Sequence, residues 1–203
     1  MTALQFFESI CLKDGVFERL SLHEARIKRT LAAHFPASST PKLAALLHEN
    51  DFPLKGRFKC RLSYGPGFER PVFVPYHKKS IRSLRIVEAG NLDYSFKRTN
   101  RNAIETLMLQ RGNCDDILMI KNGFLTDTSY CNIVLKTKKG KWVTPSAPLL
   151  AGTQREHLLN QGIIISSPIS LINLSEFVSF KLINAMIDWD EADELPVETI
   201  DIT

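Results

Sequence analysis

The stretch that organises this sequence is Leu125-Thr-Asp-Thr-Ser-Tyr-Cys-Asn-Ile133, which is followed by Val143-Thr-Pro-Ser-Ala-Pro-Leu-Leu-Ala-Gly-Thr-Gln-Arg155. A single acid, Asp127, lies between two apolar segments that both predict β-strands. An ionised carboxylate inside a sheet is costly unless it is paired. We therefore expect Asp127 to have a cationic partner.

The flanking segments predict paired strands on both sides of this acid. The apolar run from Asp115 to Leu125 is typical of a strand buried on both faces, and within it Asn122-Gly123 is the strongest two-residue hairpin signal. A second turn at Lys139-Gly140 separates Ile133–Leu135 from a strand that begins at Trp142. The acid is therefore expected inside a run of paired strands and not at a loop tip.

The sequence after Leu149 changes its period and predicts a short helix. Gly152-Thr153 opens Gln154–Gln161, and Gly162 closes it. A helix N-terminus presents N–H groups and the positive end of the helix dipole, which together favour an anion and most often a phosphate. Pyridoxal 5'-phosphate, bound with its pyridine nitrogen protonated, has a cation at one end and a phosphate at the other, and it fits both features.

The order of three motifs resembles the class IV aminotransferases, which form fold type IV of the pyridoxal phosphate enzymes. These motifs are Asp127-x-x-x-x-Asn132, Thr144-Pro145 and Leu150-x-Gly-Thr-x-Arg155. Branched-chain transaminases, D-amino acid transaminase and aminodeoxychorismate lyase belong to that family. The resemblance extends from Phe6 to Met186, although most members carry an additional strand before its first residue and this chain begins without it.

The resemblance implies an α+β fold with mixed α/β character and two lobes. A small N-terminal α/β lobe would occupy residues 1–88, and a larger β-rich pseudo-barrel lobe that binds pyridoxal 5'-phosphate would occupy residues 89–203. Members of the family are usually homodimers, so a homodimer is expected.

The family also requires a lysine for the Schiff base, and Asp93-Tyr-Ser-Phe-Lys-Arg-Thr-Asn-Arg101 supplies Lys97. By resemblance, Lys97 would bond the cofactor aldehyde and, once an amino substrate displaces it, would move a proton between the substrate Cα and the cofactor C4'. The run Lys97-x-x-Asn100-Arg101 and the pair Asn184-Ala185 are more similar to the lyase branch than to the branched-chain transaminases.

The remaining cofactor contacts are also implied by the resemblance. Asp127 would hold a proton on the pyridine nitrogen, a position where the family usually has Glu. Arg26, in His23-x-x-Arg26-Ile27, resembles the family's phosphate-binding arginine, whose planar fork suits phosphate. The other predicted cofactor-binding residues are Thr128, Ser129, Gly152, Thr153 and Asn184.

Each of these residues has a purely structural alternative. Asp127 could cap its own turn, Thr153 could be a plain helix N-cap, and Asn184 could be a turn residue at a strand end. Ser129 could face solvent, and an isolated arginine such as Arg26 is normally solvated. Asn132 is expected to hold backbone near the acid and not to touch the cofactor.

The rest of the chain predicts further elements. Ser21-Leu-His-Glu24 has the pattern of a capping box at the start of a helix, and Asn102-Ala-Ile-Glu105 repeats it. The remaining expectations are a hairpin over Phe6–Leu20 turned at Asp14-Gly15, a helix from Thr40-Pro41 to Asn50, strands at residues 57–64, 70–76, 80–87, 162–166 and 178–186, a helical turn at residues 174–177, and a polar acidic tail from Asp188.

Basic residues alternate along one predicted strand. Arg57, Lys59 and Arg61 share a face, which could be a solvated surface or a wall that reads a substrate carboxylate. A nucleic-acid surface, with aromatic residues between the basic ones, is a third possibility. The net charge of +4 is too small to favour it, so no nucleic-acid partner is expected.

Composition limits the remaining possibilities. The four cysteines, Cys11, Cys60, Cys114 and Cys131, form no Cys-x-x-Cys pair and share no metal-type spacing with histidines, so a reduced cytoplasmic location and no metal site are expected. The start at Met1 lacks a leader pattern, and no apolar run reaches the roughly twenty residues of a membrane span. The protein should therefore be soluble.

The sequence thus predicts a pyridoxal phosphate enzyme. It would move an amino group from an amino acid to a 2-oxo acid, or eliminate pyruvate from aminodeoxychorismate. The alternative is a non-catalytic protein that binds pyridoxal phosphate or another anion and keeps the fold.

Overall fold

The computed structural model describes residues 4–202 and groups them into two compact units. The first unit runs up to Lys78 and also takes Phe96–Asn100, and the second unit comprises Lys79–Ser95 and the chain from Arg101 onwards. The predicted lobes, residues 1–88 and 89–203, stay a prediction about domain organisation. Met1, where no leader was expected, lies outside the described residues.

The first unit is built on a four-stranded antiparallel sheet in the order β2-β1-β3-β4. Asp14 and Gly15, both with positive φ, form the predicted turn between its first two strands. The elements of this unit are β1 (Phe6–Lys13), β2 (Val16–Phe17), α1 (Leu20–His34), α2 (Leu43–His48), β3 (Arg57–Tyr64) and β4 (Val72–Pro75).

The two faces of this sheet differ in character because side chains alternate along each strand. One face carries Phe6, Ile10 and Leu62, which pack with Ile27 and Leu31 of α1 in a single apolar core. Phe7, Ser9 and Arg61 belong to the other face, where β1 and β3 run side by side over eight residue pairs. The sheet therefore has one face against helices and one face with polar and basic side chains.

The predicted capping boxes are wrong. Helix α1 begins at Leu20 and follows Arg19, which has a φ of 53° and provides no side-chain cap, so Ser21 lies inside the first turn. The Glu24 carboxylate accepts instead a hydrogen bond of 2.5 Å from the backbone N–H of Leu43, the first residue of α2.

The second unit contains two helices and nine strands among its described residues. The elements are β5 (Leu84–Glu88), α3 (Asn102–Met108), β6 (Asp116–Lys121), β7 (Phe124–Thr128), β8 (Asn132–Thr137), β9 (Trp142–Pro145), α4 (Thr153–Asn160), β10 (Ile165–Ser167), β11 (Phe177–Ile183), β12 (Glu194–Pro196) and β13 (Ile200–Asp201). Asn102 is the first residue of α3 and not its cap. Short 3-10 turns occur at residues 109–111, 171–176, 189–191 and 197–199.

The strands of the second unit follow the order β10-β9-β8-β7-β6-β5-β13, and β11 also pairs with β8 and β12. The hairpin at Asn122-Gly123 is confirmed, since both residues have positive φ as a tight two-residue turn requires. The predicted mixture of helices and sheets is also confirmed.

The expectation of a polar tail from Asp188 is wrong. Strand β12 pairs with β11, and β13 pairs in parallel with β5, so that Ile200 lies opposite Leu84 and is buried. The apolar residues of this segment are too widely spaced to show a strand period. No helix within residues 4–202 combines the length and the apolar character that crossing a membrane requires.

Candidate functional site

Asp127 is buried within strand β7, opposite Asn132 of β8. Its carboxylate accepts hydrogen bonds from Asn132 Nδ2 at 2.6 Å and from the Leu150 backbone N–H at 2.8 Å. Both donors are neutral, and no described residue forms an ion pair with Asp127. Burial raises the pKa of Asp127 to about 6, against the hydrogen bonds and the more distant charge of Arg155. Because the donors lie elsewhere in the chain, Asp127 is not a turn acid that caps its own backbone.

The predicted role of Asn132 as a backbone tie is confirmed. Its Nδ2 donates to the Leu150 carbonyl at 2.9 Å as well as to Asp127. The amide therefore links strand β8 to the segment that leads into α4, and it holds the acid in place between them.

Gly152 is required by the close approach of Asn132. A Cβ at Gly152 would lie 2.0 Å from Asn132 Oδ1, so the Asn132 side chain would have to move. The backbone of Gly152 is ordinary, with φ −73° and ψ 142°, so space and not conformation selects glycine here. Gly152 is the N-cap of α4, and the buried Thr153 is the first helical residue and not the cap.

Arg155 anchors helix α4 to the ends of two strands. Its guanidinium donates to the Pro145 carbonyl at 2.8 Å and contacts the Thr144 and Ser166 hydroxyls, each at 3.3 Å. Thr144 in turn donates to the Ile133 carbonyl at 2.9 Å. The arginine of the sequence motif is thus a buried structural link that also places a positive charge in the neighbourhood of Asp127.

A tight turn over residues 128–131 follows the acid. The Cys131 backbone N–H donates to Thr128 Oγ1 at 3.1 Å. Ser129 is buried, so the alternative that it faces solvent is wrong. Its carbonyl accepts a hydrogen bond of 2.6 Å from Arg101, a contact that no local sequence pattern predicts.

Asn184 lies directly after strand β11. Its Oδ1 accepts from the Met186 backbone N–H at 2.8 Å, which is the contact expected of a turn residue at a strand end. Its Nδ2 lies 3.2 Å from Cys131 Sγ, so the structure brings Asn184 to the same turn as Thr128 and Ser129.

Asp116, at the start of β6, is a second buried carboxylate near this turn, and it was not among the predicted site residues. Its Oδ1 accepts from the Ile117 backbone N–H at 2.8 Å, and its Oδ2 has no hydrogen-bond partner in the described chain. Burial raises its pKa, and Ser129 and Thr128 act in the opposite direction.

Lys97 belongs to the first unit, where its segment runs antiparallel to the start of β1. The Phe7 backbone N–H donates to the Lys97 carbonyl at 3.0 Å, and that of Thr99 donates to the Gln5 carbonyl at 2.9 Å. The side chain is half-buried, and Nζ lies 4.6 Å from the centre of the Phe7 ring.

Arg26 pairs with a buried acid, Glu8, which was not among the predicted site residues. Arg26 Nε donates to Glu8 Oε1 at 2.9 Å, Nη2 contacts the other oxygen, and His23 Nδ1 lies 2.6 Å from Oε2. Burial would raise the pKa of Glu8, but the charge of Arg26 and the hydrogen bond with His23 prevail and lower it to about 2. Burial also lowers the pKa of His23, so this histidine is neutral near pH 7.

Lys97 and Arg26 contact two neighbouring residues of β1 within the first unit. Lys97 contacts Phe7 and Arg26 contacts Glu8, and consecutive residues of a strand point to opposite faces of the sheet. An acid at an inward position of β1, between Phe6 and Ile10, was the sequence signal that could have revealed Glu8.

Comparisons with known proteins agree on one family. The profile described as amino-transferase class IV matches residues 5–192. An uncharacterised protein of Haemophilus influenzae is 36% identical over 183 residues, which cover 89% of this chain and 96% of that protein.

Solved structures give the same result. A crystal structure of a proposed 4-amino-4-deoxychorismate lyase from Haemophilus somnus is 31% identical, with a TM-score of 0.85, over 92% of this chain and 98% of that one. A proposed amino-acid aminotransferase from Mesorhizobium loti is 17% identical, with a TM-score of 0.76, over 98% of this chain and all of that one. The second likeness shows the fold alone.

Proposed function

The chain belongs to the class IV aminotransferase family, whose members are pyridoxal 5'-phosphate enzymes, and we propose that Lys97 bonds the aldehyde of this cofactor while Asp127 holds its ring nitrogen protonated. The resemblance found in the sequence is confirmed, as is the expected fold of the family. Family membership favours an enzyme over a non-catalytic binding protein.

The observation that carries this proposal is the environment of Asp127. A buried carboxylate is normally paired with a cation, whereas Asp127 receives only neutral hydrogen bonds from described residues. A carboxylate has about four acceptor positions, so Asp127, which the Leu149 backbone N–H also stabilises, can still accept a hydrogen bond from a ligand. A protonated pyridine nitrogen is a cationic donor of the required kind, so the residues present fit pyridoxal 5'-phosphate. When bound, the cofactor supplies an electron sink for the charge that develops on the amino-bearing carbon of the substrate.

Lys97 is proposed to act twice. Its amine would hold the cofactor before the substrate arrives, and once the substrate amine has taken its place, the freed Lys97 amine would accept the proton from the substrate Cα. The backbone bonds between its segment and β1 fix the Cα of Lys97, and the Phe7 ring packs against the end of the side chain. Both contacts restrict where the amine can move.

The phosphate is proposed to be held by Arg26, the start of α4 at Gly152 and Thr153, and the group formed by Thr128, Ser129 and Asn184. The contacts of Asn184 and Thr128 with Cys131 support this grouping. The carboxylate of Glu8 fixes the orientation of the Arg26 guanidinium.

Two reactions are open to such an enzyme. One transfers the amino group of an amino acid to a 2-oxo acid, and the other releases pyruvate from 4-amino-4-deoxychorismate. The relative from Haemophilus somnus is a proposed lyase, so we propose that 4-amino-4-deoxychorismate be tested as the first substrate. Release of pyruvate identifies the lyase, and conversion of the bound cofactor to its amine form by an amino acid identifies the transaminase.

The cofactor role is tested with purified protein and pyridoxal 5'-phosphate. We expect a visible absorption band from the lysine-bound cofactor, and borohydride reduction followed by mass spectrometry should locate the cofactor on Lys97. Lys97→Ala should lose both signals, whereas Lys139→Ala, which changes an exposed lysine in a turn, should keep them. A Lys97→Ala protein that retained the band would disprove the assignment.

We also propose that the protein is a cytoplasmic homodimer with no nucleic-acid or membrane partner, as is usual in this family. Light scattering on the purified protein tests the dimer, and a monomeric mass across the working concentration range would refute it.

A further inference from the structure

The turn that follows Asp127 is closed at its base by its own hydrogen bonds. The Thr128 backbone N–H donates to the Cys131 carbonyl at 2.9 Å, and the Cys131 N–H donates to Thr128 Oγ1 at 3.1 Å. These bonds leave Ser129 and Tyr130 at the tip of the turn. The peptide group between Ser129 and Tyr130 takes no part in closing the base, so its orientation depends on contacts from outside the turn.

Arg101 makes such a contact. Its guanidinium donates to the Ser129 carbonyl at 2.6 Å, and its Cζ lies 5.8 Å from the centre of the buried Tyr94 ring. The backbone of Arg101 is anchored in turn, because its carbonyl accepts a hydrogen bond of 2.9 Å from the Glu105 N–H at the start of α3. A hydrogen bond from a charged donor is roughly twice as strong as a neutral one. Arg101 therefore holds the Ser129 carbonyl in one direction.

The charge of Arg101 is not neutralised by an acid of the described chain. The side chain is half-buried, yet no ion pair among residues 4–202 includes it. Asp116 also lies near the turn, but the hydroxyls of Ser129 and Thr128 act on its carboxyl and it forms no ion pair with Arg101. A partly buried guanidinium that bonds only a neutral carbonyl suits a site where an anion arrives.

We infer that Arg101 is a positioning residue for the phosphate of the cofactor. By holding the Ser129 carbonyl, it fixes the peptide at the tip of the turn and keeps Ser129 in the orientation that meets the phosphate. A group that is ordered beforehand binds more tightly, because the ordering cost no longer falls on the binding step. This inference rests on the proposed function, in which the turn helps to hold the phosphate, and it adds a residue that acts through the turn.

The test compares pyridoxal 5'-phosphate with pyridoxal, which lacks the phosphate. Both react with a lysine amine, so the ratio of their dissociation constants, measured by titration of the visible band, reports phosphate recognition. Arg101→Met removes the hydrogen bond and keeps the length of the side chain. We expect the preference for pyridoxal 5'-phosphate to fall roughly 10- to 100-fold, with the affinity for pyridoxal unchanged. A general loss of packing would weaken both ligands equally and would contradict the inference.

Three further variants complete the comparison. Arg101→Lys keeps a charged donor and should restore most of the preference, and Arg101→Gln keeps a neutral donor and should give an intermediate value. Arg101→Gln also serves as the test if Arg101→Met does not fold. Arg111→Met is the matched control, because Arg111 also donates to a backbone carbonyl but is exposed, and its preference should equal that of wild type.

A double substitution separates action through the turn from direct binding of the phosphate. In a Ser129→Ala background, Arg101→Met should change the preference much less than it does in wild type, because the group that it positions is already gone. Fully additive effects of Arg101→Met and Ser129→Ala would show that Arg101 acts independently of the turn, and would overturn the inference.

The failures of the two proposals are distinguishable. A wild-type protein without a visible band contradicts the proposed cofactor role, and inorganic phosphate then tests Arg101 separately. Inorganic phosphate should raise the melting temperature of wild type more than that of Arg101→Met at equal ionic strength, and equal shifts would contradict the role of Arg101. A protein that has the band, with a folded Arg101→Met variant of unchanged preference, contradicts the role of Arg101 alone.

Discussion

Glu8 and Arg26 form a side-on ion pair in the core of the first unit, with Arg26 Nε donating to Glu8 Oε1 at 2.9 Å. His23 occupies the remaining side of the same carboxylate. Such a pair fixes the guanidinium in one orientation. Removing one partner destabilises the protein, because the other charge then stays buried and unpaired.

Replacing Glu8 by glutamine should therefore destabilise the protein by about 3–5 kcal/mol. The substitution keeps the shape of the side chain but leaves Arg26 without its counter-charge. The free energy of unfolding in urea measures the effect, and Glu49→Gln, at an exposed position, should change it by less than about 0.5 kcal/mol. Equal stability of the two variants would show that the pair contributes nothing.

The same ion pair predicts how the free energy of unfolding changes with pH in acid. The pKa of Glu8 is about 2 in the folded protein and 4.5 as its reference value, so its stabilising contribution is complete above pH 4.5 and is lost as the pH falls from 4.5 towards 2. The unfolding free energies of wild type and Glu8→Gln should converge across this window. Parallel curves for the two proteins would contradict the lowered pKa.

The raised pKa of Asp127 predicts that stability depends on pH with the opposite sign. Its folded pKa is raised from 3.8 to about 6, so the folded protein binds a proton more tightly than the unfolded chain between these values. Without cofactor, wild type should lose stability relative to Asp127→Asn as the pH rises from 3.8 to 6, by about 3 kcal/mol in total, and the difference should then stay constant.

Pyridoxal 5'-phosphate should abolish this slope, because a protonated ring nitrogen beside Asp127 favours the ionised carboxylate. Thermal unfolding at a series of pH values, with and without cofactor, measures both effects. If the cofactor leaves this pH dependence unchanged, the proposed contact between Asp127 and the ring nitrogen is contradicted.

Replacing Gly152 by alanine should displace Asn132, because the new Cβ would lie 2.0 Å from Asn132 Oδ1. Asp127 would then lose its hydrogen bond from Asn132, and we expect a cost of about 1–3 kcal/mol. In an Asn132→Ala background the cost should largely disappear, so that the two substitutions are strongly non-additive. Gly67→Ala, at a position with open space around it, is the control, and additive effects in the urea measurements would refute the contact.

The second unit shows what the sequence can predict. The hairpin at Asn122-Gly123 and the helix after Gly152 depend on contacts between residues close in the chain, so their patterns are visible locally. The sequence predicts a cationic partner for Asp127, whereas the described donors to its carboxylate, Asn132 and the Leu150 N–H, are neutral. The Leu150 N–H is a partner of Asp127 because the segment before α4 folds back onto β7. No local sequence pattern predicts this fold-back.

The first unit shows where local patterns mislead. Ser21 and Glu24 match a capping box, but Arg19 can adopt a left-handed conformation and start the helix one residue before Ser21, and Glu24 then bonds to α2. Glu8 and Arg26 are 18 positions apart in the sequence, and they meet because α1 packs against β1. The alternation of basic residues predicts that Arg61 lies on a basic strand face, but its contact with the Phe7 ring is visible only in the structure.

The pairing of β13 with β5 has a consequence for biosynthesis. Asp201 forms an ion pair with Arg85 across 116 positions, and Ile200 covers Leu84 at the same edge. A ribosome must therefore synthesise the chain as far as Asp201 before the β5 edge pairs with β13. Until then the nascent polypeptide displays unpaired backbone groups along that edge, which is where chaperones or a second nascent chain would bind it.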